Sequence, residues 1–156
     1  MPSDLSDIEI LLAEHELYDA DIVAHGFLPY FRDYQLLVER ISNPPYGLFE
    51  YTFDLCMEAH YSVTLPPSAI SMDPRLIEIG AREVPEGFVW SVGSVSSAEE
   101  GVTVSETSDR AVHWAQRLNR PMFEIEIGTN VFRLALVFHD LRVDRASNTD
   151  TMDPTA

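Results

Sequence analysis

Between Leu48 and Thr64 the hydrophobic and polar positions alternate for longer than anywhere else in the chain. The odd positions are Phe49, Tyr51, Phe53, Leu55, Met57, Ala59, Tyr61 and Val63. From residue 50 the even ones are Glu50, Thr52, Asp54, Cys56, Glu58, His60, Ser62 and Thr64. A period of two predicts a strand with its aromatic side on a core beneath helices and its polar side in solvent. Its 17 residues exceed an ordinary strand, which predicts a bend or bulge within it. Before it, Pro29 with Arg32-Asp33 and the stretch "SNPPYG" break the pattern, leaving two further strands at about 20–28 and 33–41 as antiparallel neighbours.

Helical spacing comes first in the chain. Ile8, Leu11, Leu12 and His15 form one stripe over about residues 6–17. Ser6 and Glu9 have capping-box spacing, with Leu5 and Ile10 as a hydrophobic staple. A second amphipathic helix is predicted over 108–119, with Ala111, Trp114, Ala115 and Leu118 on its apolar side and Asn119 and Pro121 ending it. Between these lie an ambiguous stretch from Pro66 to Gly87, with a short helix at Asp73-Pro74 as one reading, a strand over 87–97 and a short strand at 102–104. A hairpin follows, with Phe123, Ile125 and Ile127 on one face, its turn at Gly128-Thr129-Asn130, and Phe132, Leu134, Leu136 and Phe138 on the returning strand. There the apolar phase switches at 139–140, since Leu141 and Val143 take the other register, which predicts a local bulge. The fold class is therefore α+β: one domain over 1–146, a mostly antiparallel sheet of five to seven strands with two or three helices, and a disordered tail over 147–156.

Charge changes the functional picture more than the fold. The chain has 26 acidic and 10 basic residues, a formal net charge of −16, and every basic residue is Arg. Such a surface repels phosphate backbones and anionic membranes and favours a basic protein partner. A host proteome that is acidic throughout would give the same composition. Cys56 is the only cysteine, so an intrachain disulfide and a thiolate cluster are excluded. No apolar run reaches membrane-spanning length and the N-terminus lacks a basic leader, so the expected location is cytoplasmic.

Candidate chemistry is sparse. His139-Asp140 resembles a metal or catalytic pair, but on a regular strand the two side chains point to opposite faces. Glu50, Asp54, Cys56, Glu58 and His60 carry ligand-type groups on one strand face, which would need a neighbour such as His25 to close a site. A base among His25, His60 and His139 could be oriented by Asp33, Asp54 or Asp140. No nucleophile-elbow, phosphate-loop, dinucleotide or zinc-helix motif accompanies them. The acidic neighbours of Cys56 would raise its pKa and deprive it of nucleophilicity. Tyr30, Phe31 and Tyr46 lie in connections, where they are expected to fold back as caps on the core, with interface anchoring as the other reading. The weak candidates for a functional surface are thus His25, Asp33, Asp54, Glu58, His60, His139 and Asp140, with no catalytic residue, cofactor or metal assigned.

Four segments, "LYDADIVAHGFLPYFRDYQLLVE", "YTFDLCMEAH", "WAQRLNRPMFEIEIGTN" and "VFHDLRV", in their order and spacing resemble the bacterial YxiG-like domain family over roughly residues 10–145. The resemblance implies a small single-domain protein without an assigned activity. Because the founding member's gene lies near a contact-toxin locus, it also implies toxin immunity or accessory binding. Asp54-Leu55-Cys56 stands where the family usually reads Thr-His-Cys, so any role of that His is absent here. The leading expectation is a non-enzymatic binding protein, immunity-like toward a basic toxin domain. A metal-dependent or His-based hydrolase and a structural or oligomer-forming module are the alternatives.

Overall fold

The computed structural model describes residues 3–41, 43–63, 102–129 and 132–146. The predicted short helix at 73–74, the strand over 87–97 and the tail over 147–156 lie outside them. Helix α1 (Leu5–Glu14) is followed by strands β1 (Asp21–Phe27), β2 (Tyr34–Arg40), β3 (Gly47–Asp54), β4 (Glu58–Val63) and β5 (Thr103–Ser105). Helix α2 (Asp109–Leu118) precedes β6 (Phe123–Gly128), β7 (Phe132–Phe138) and β8 (Asp140–Arg145). Among the described residues all the pairings are antiparallel, and they build two four-stranded sheets with orders β1-β2-β3-β8 and β4-β7-β6-β5. The fold is α+β, with two sheets where the sequence pattern suggests one.

The sheets join at a corner. Asp54 pairs with Asp140 at the end of the β3–β8 ladder, and Glu58 with Val137 at the start of β4–β7. Leu55, Cys56 and Met57 therefore oppose only Phe138 and His139. This is the bulge that the length of the 48–64 run predicts, and both strands change sheets across it, as bulged corners of orthogonally packed sheets do. Leu55 takes a left-handed φ of 52°. The bend is tied down by Leu55 N–H donating to Asp33 Oδ1 (3.0 Å), Cys56 N–H to the Arg32 carbonyl (2.7 Å) and His139 N–H to the Asp54 carbonyl (2.9 Å). The extra residue also turns Cys56 inward, where it is buried rather than solvent-facing as alternation alone would place it.

Asp33 is thus a structural clamp. Removing its carboxylate strands a backbone N–H at a strained position, so Asp33→Ala should cost about 1.5–3 kcal/mol. Asp33→Asn keeps an acceptor oxygen and should cost less than about 1 kcal/mol. Denaturant melts of the two variants check this, and equal losses would remove the hydrogen bond as the cause.

Most of the aromatic side of the long run is hidden, partly against the end of α1 and partly against the second sheet. Phe49, Tyr51 and Phe53 are buried: the Phe49 ring meets His15 at the end of α1 at 5.7 Å, the Tyr51 hydroxyl donates to the His15 carbonyl at 2.7 Å, and Phe53 meets Phe138 edge-on at 4.9 Å across the corner. One core joins both sheets, with Ile8 of α1 and Leu17 in it. Beyond the bend the odd face opens: Tyr61 and Val63 are half exposed, and β4 is the outermost of the described strands in its sheet. Helix α1 starts one residue earlier and ends three residues earlier than its apolar stripe suggests. Its capping box is Asp4 with Asp7, each carboxylate accepting the other's N–H (2.9 and 3.1 Å), and not Ser6 with Glu9. Ile10 consequently points outward instead of stapling. The α2 prediction holds, with Ser108 as N-cap and Asn119 left-handed at the C-cap. This helix packs on β6 and β7, where Ala111 and Val137 are both fully buried.

Candidate functional site

The sequence candidates do not assemble into one centre. His139 Nδ1 donates to the Pro121 carbonyl at 2.6 Å, while Asp140 Oδ1 accepts the Leu141 N–H at 2.9 Å. The adjacent His and Asp are therefore separate braces at the sheet crossover. Asp54 holds Arg142 through both oxygens at 3.2 Å. None of the His–Asp side-chain pairings conceivable from sequence forms among the described residues, where His25, His60 and His139 bond instead to Tyr34, Glu58 and the Pro121 carbonyl, and no three ligand-type side chains come together there.

His25 lies on the inner side of β1. Its Nδ1 is hydrogen-bonded to Tyr34 Oη at 2.6 Å. Burial lowers its pKa and pushes the Tyr34 phenol up to about 12, so at neutral pH both partners are uncharged. Cys56 also rises to about 12, first through burial and then through Asp33 and Glu58. It should resist alkylation at pH 8 in the native state and react on unfolding, which mass spectrometry after iodoacetamide treatment checks. Modification of the folded protein would contradict the buried placement.

Glu58 and His60 do meet. His60 Nε2 lies 2.8 Å from Glu58 Oε1, and Trp114 Nε1–H of α2 donates to Glu58 Oε2 at 2.5 Å. Burial pushes the Glu58 carboxyl up, but the bonds from His60 and Trp114 and the charges of His60 and Arg110 outweigh it, leaving the net shift downward. The strand alternation places both residues on one face; the Trp114 contact, reaching across the fold, has no local signature.

The most unusual surface lies elsewhere, at the seam between β1 and β4, the outermost described strands of their sheets. At the β1–β2 turn, Phe31 N–H donates to the Leu28 carbonyl at 3.1 Å, with Pro29 and Tyr30 between them. Tyr30 has φ 77° and Phe31 φ 54°. The third turn position with positive φ belongs to glycine in type II turns, yet here it carries a tyrosine 90% exposed, beside a phenylalanine 78% exposed. Tyr30, Phe31 and Tyr46 all stand out in solvent and do not cap the core. From Phe31 the rings continue inward without a gap. Phe27 is 5.7 Å from Phe31 and 5.0 Å from Tyr34, Tyr34 is 6.0 Å from His25, and His25 is 4.8 Å from Tyr61 on the other sheet. Phe132 closes the row, 4.9 Å from His25 and 5.3 Å from Tyr61. Of this surface the sequence marks only His25, Tyr30 and Phe31; Tyr61 and Val63 read as core because alternation does not reveal a sheet edge.

Fold and surface together define an α+β protein of two antiparallel sheets with an exposed aromatic seam. Among the described residues no helix is long and apolar enough to cross a membrane. The YxiG-like protein family matches residues 4–154, and the chain belongs to it. No curated protein matches the chain.

Proposed function

We propose that this is a non-enzymatic binding protein of the bacterial cytoplasm that engages a basic protein partner through the aromatic seam, in an immunity-like relation to a basic toxin domain. The observation that carries the reading is Tyr30, a bulky side chain held in solvent at a backbone position that disfavours it. Left-handed backbone costs a non-glycine residue roughly 1–2 kcal/mol, and strain of this kind persists where the surroundings impose it and a site uses it. Exposed, rigid aromatic rings are the side chains that carry most binding energy at protein interfaces. The net charge of −16 supplies long-range attraction for a basic partner and opposes nucleic acid and anionic membranes.

A single substitution separates binding from folding. Tyr30→Gly should change stability by less than about 1 kcal/mol, because relief of the left-handed strain offsets the flexibility glycine adds to the unfolded chain. In affinity capture from the native host, the wild-type protein should retain a basic protein that elutes with rising salt, and Tyr30→Gly should lose it. Equal capture by the variant, or retention indifferent to salt, would count against this reading.

A further inference from the structure

The row of rings crosses from one sheet to the other at a histidine. Phe27 and Tyr34 belong to the first sheet, Tyr61 and Phe132 to the second. Among the described ring contacts of the seam, only those of His25 join the two sets, at 4.8 Å to Tyr61 and 4.9 Å to Phe132. The backbone behind this joint is lightly held. β1 and β4 each pair with one neighbour among the described strands, and the β1–β2 register shifts between Ile22 and Ala24, next to His25.

The hydrogen bond inside the joint has one sense. Tyr34 is only 5% exposed, and among the described residues its hydroxyl meets no partner but His25 Nδ1. A buried phenol needs an acceptor, so Oη–H donates and Nδ1 stays bare, with the imidazole proton on Nε2. A second proton, on Nδ1, would reverse the bond and leave the Tyr34 O–H without an acceptor. The surroundings do not compensate. β2 presents the Tyr34 phenol, β4 the Tyr61 phenol and β7 the Phe132 ring, with the Cys56 thiol beyond Tyr34, and among the described residues no carboxylate bonds to the imidazole. The rings of Tyr61 and Phe132 attract a cation, but neither replaces the lost acceptor, and burial holds the His25 pKa below the ordinary 6.5. We propose that His25 makes the seam a proton-controlled joint: neutral, it holds β1 against β4, and protonated, it lets β1 part from the second sheet. The opening is a property of the chain alone; its use, shedding a partner from the seam in acid, rests on the binding reading.

Linkage fixes the sign. The opened form takes up its proton near 6.5 and the closed form resists it, so closure is at full strength above 6.5 and weakens as the pH falls below it. For one proton the opening equilibrium rises about tenfold per pH unit, until the closed form titrates as well. Hydrogen exchange on the full chain, corrected for the intrinsic pH dependence of exchange, should therefore show protection of the β1 amides falling about tenfold per pH unit below 6.5. The β6–β7 hairpin should lose far less over the same range. By NMR the His25 Cε1–H resonance should titrate with a midpoint below 6.5. Tyr34→Phe removes only the hydroxyl and should move that midpoint upward. His25→Asn offers Tyr34 an acceptor that does not titrate, so its β1 protection should fall no faster than that of the hairpin. A midpoint at or above 6.5, β1 protection falling in step with the β6–β7 hairpin in the wild-type chain, or an unmoved midpoint in Tyr34→Phe would overturn the proposal. None of these readouts uses a partner, so they can fail while the binding reading stands, and Tyr30→Gly tests that reading without touching His25.

Discussion

Phe53→Ala should lower the free energy of unfolding by about 3–5 kcal/mol, a large fraction of the whole stability of an ordinary domain. Phe53 is fully buried and sits one residue before the corner at which both sheets are joined. Its ring packs edge-on against Phe138 at 4.9 Å, and Phe138 in turn lies 5.9 Å from Phe123. Truncation would remove the contact linking β3 to β7 and leave a cavity walled by two ladders, which have little freedom to collapse into it. Phe53→Leu keeps much of the volume and should lose markedly less. Denaturant melts of both variants test the idea. A loss under about 1 kcal/mol for the alanine variant would mean that the corner is not closed around this ring.

Arg40→Ala should cost about 2–4 kcal/mol, for a different reason. Arg40 continues the inward face of β2 after Tyr34, Leu36 and Val38 and is only 3% exposed. Its Nε donates to the Pro45 carbonyl at 3.1 Å and its Nη2 to the Pro44 carbonyl at 3.2 Å, tying the β2–β3 turn to the sheet. Nη1 is buried without a hydrogen-bond partner, and among the described residues no carboxylate pairs with this cation. Removing the guanidinium therefore strands two carbonyl groups but no opposing charge, which keeps the loss below that of a broken buried ion pair. Arg40→Met fills the space and should cost about half as much. Should the alanine variant melt like the wild type, the desolvation penalty of the unpaired guanidinium would already cancel its two hydrogen bonds.

How legible these features are depends on the range of the interaction that sets them. The α2 boundaries follow from Ser108, Asn119 and a stripe every third or fourth residue, all local signals, and the structure keeps them. The cap of α1 lies two residues before the expected one because Asp4 and Asp7 offer the same spacing as Ser6 and Glu9, with two carboxylates beside the positive end of the helix. The 48–64 run is readable as pleated and bent, and the phase switch at 139–140 as a break. Nothing in either segment states that the two breaks lie opposite each other in one ladder. The residue types of the candidate chemistry are visible as well, but His139 and Asp140 are spent on Pro121 and Leu141, contacts that spacing alone does not encode.

By itself, the sequence determined the strongly acidic character, the α+β class, the inward aromatic side of β3 and the need for a bulge, because composition and periodicity are properties of neighbouring residues. Only the tertiary structure decided that one long pleated run serves two sheets, that Tyr61 and Val63 are half exposed on the outermost described strand of the second sheet, and that Tyr30 and Phe31 stand in solvent above a continuous row of rings. Alternation records which side of a strand is apolar. Whether anything covers that side depends on the strand's place in the sheet, and that is fixed by partners far away in the chain.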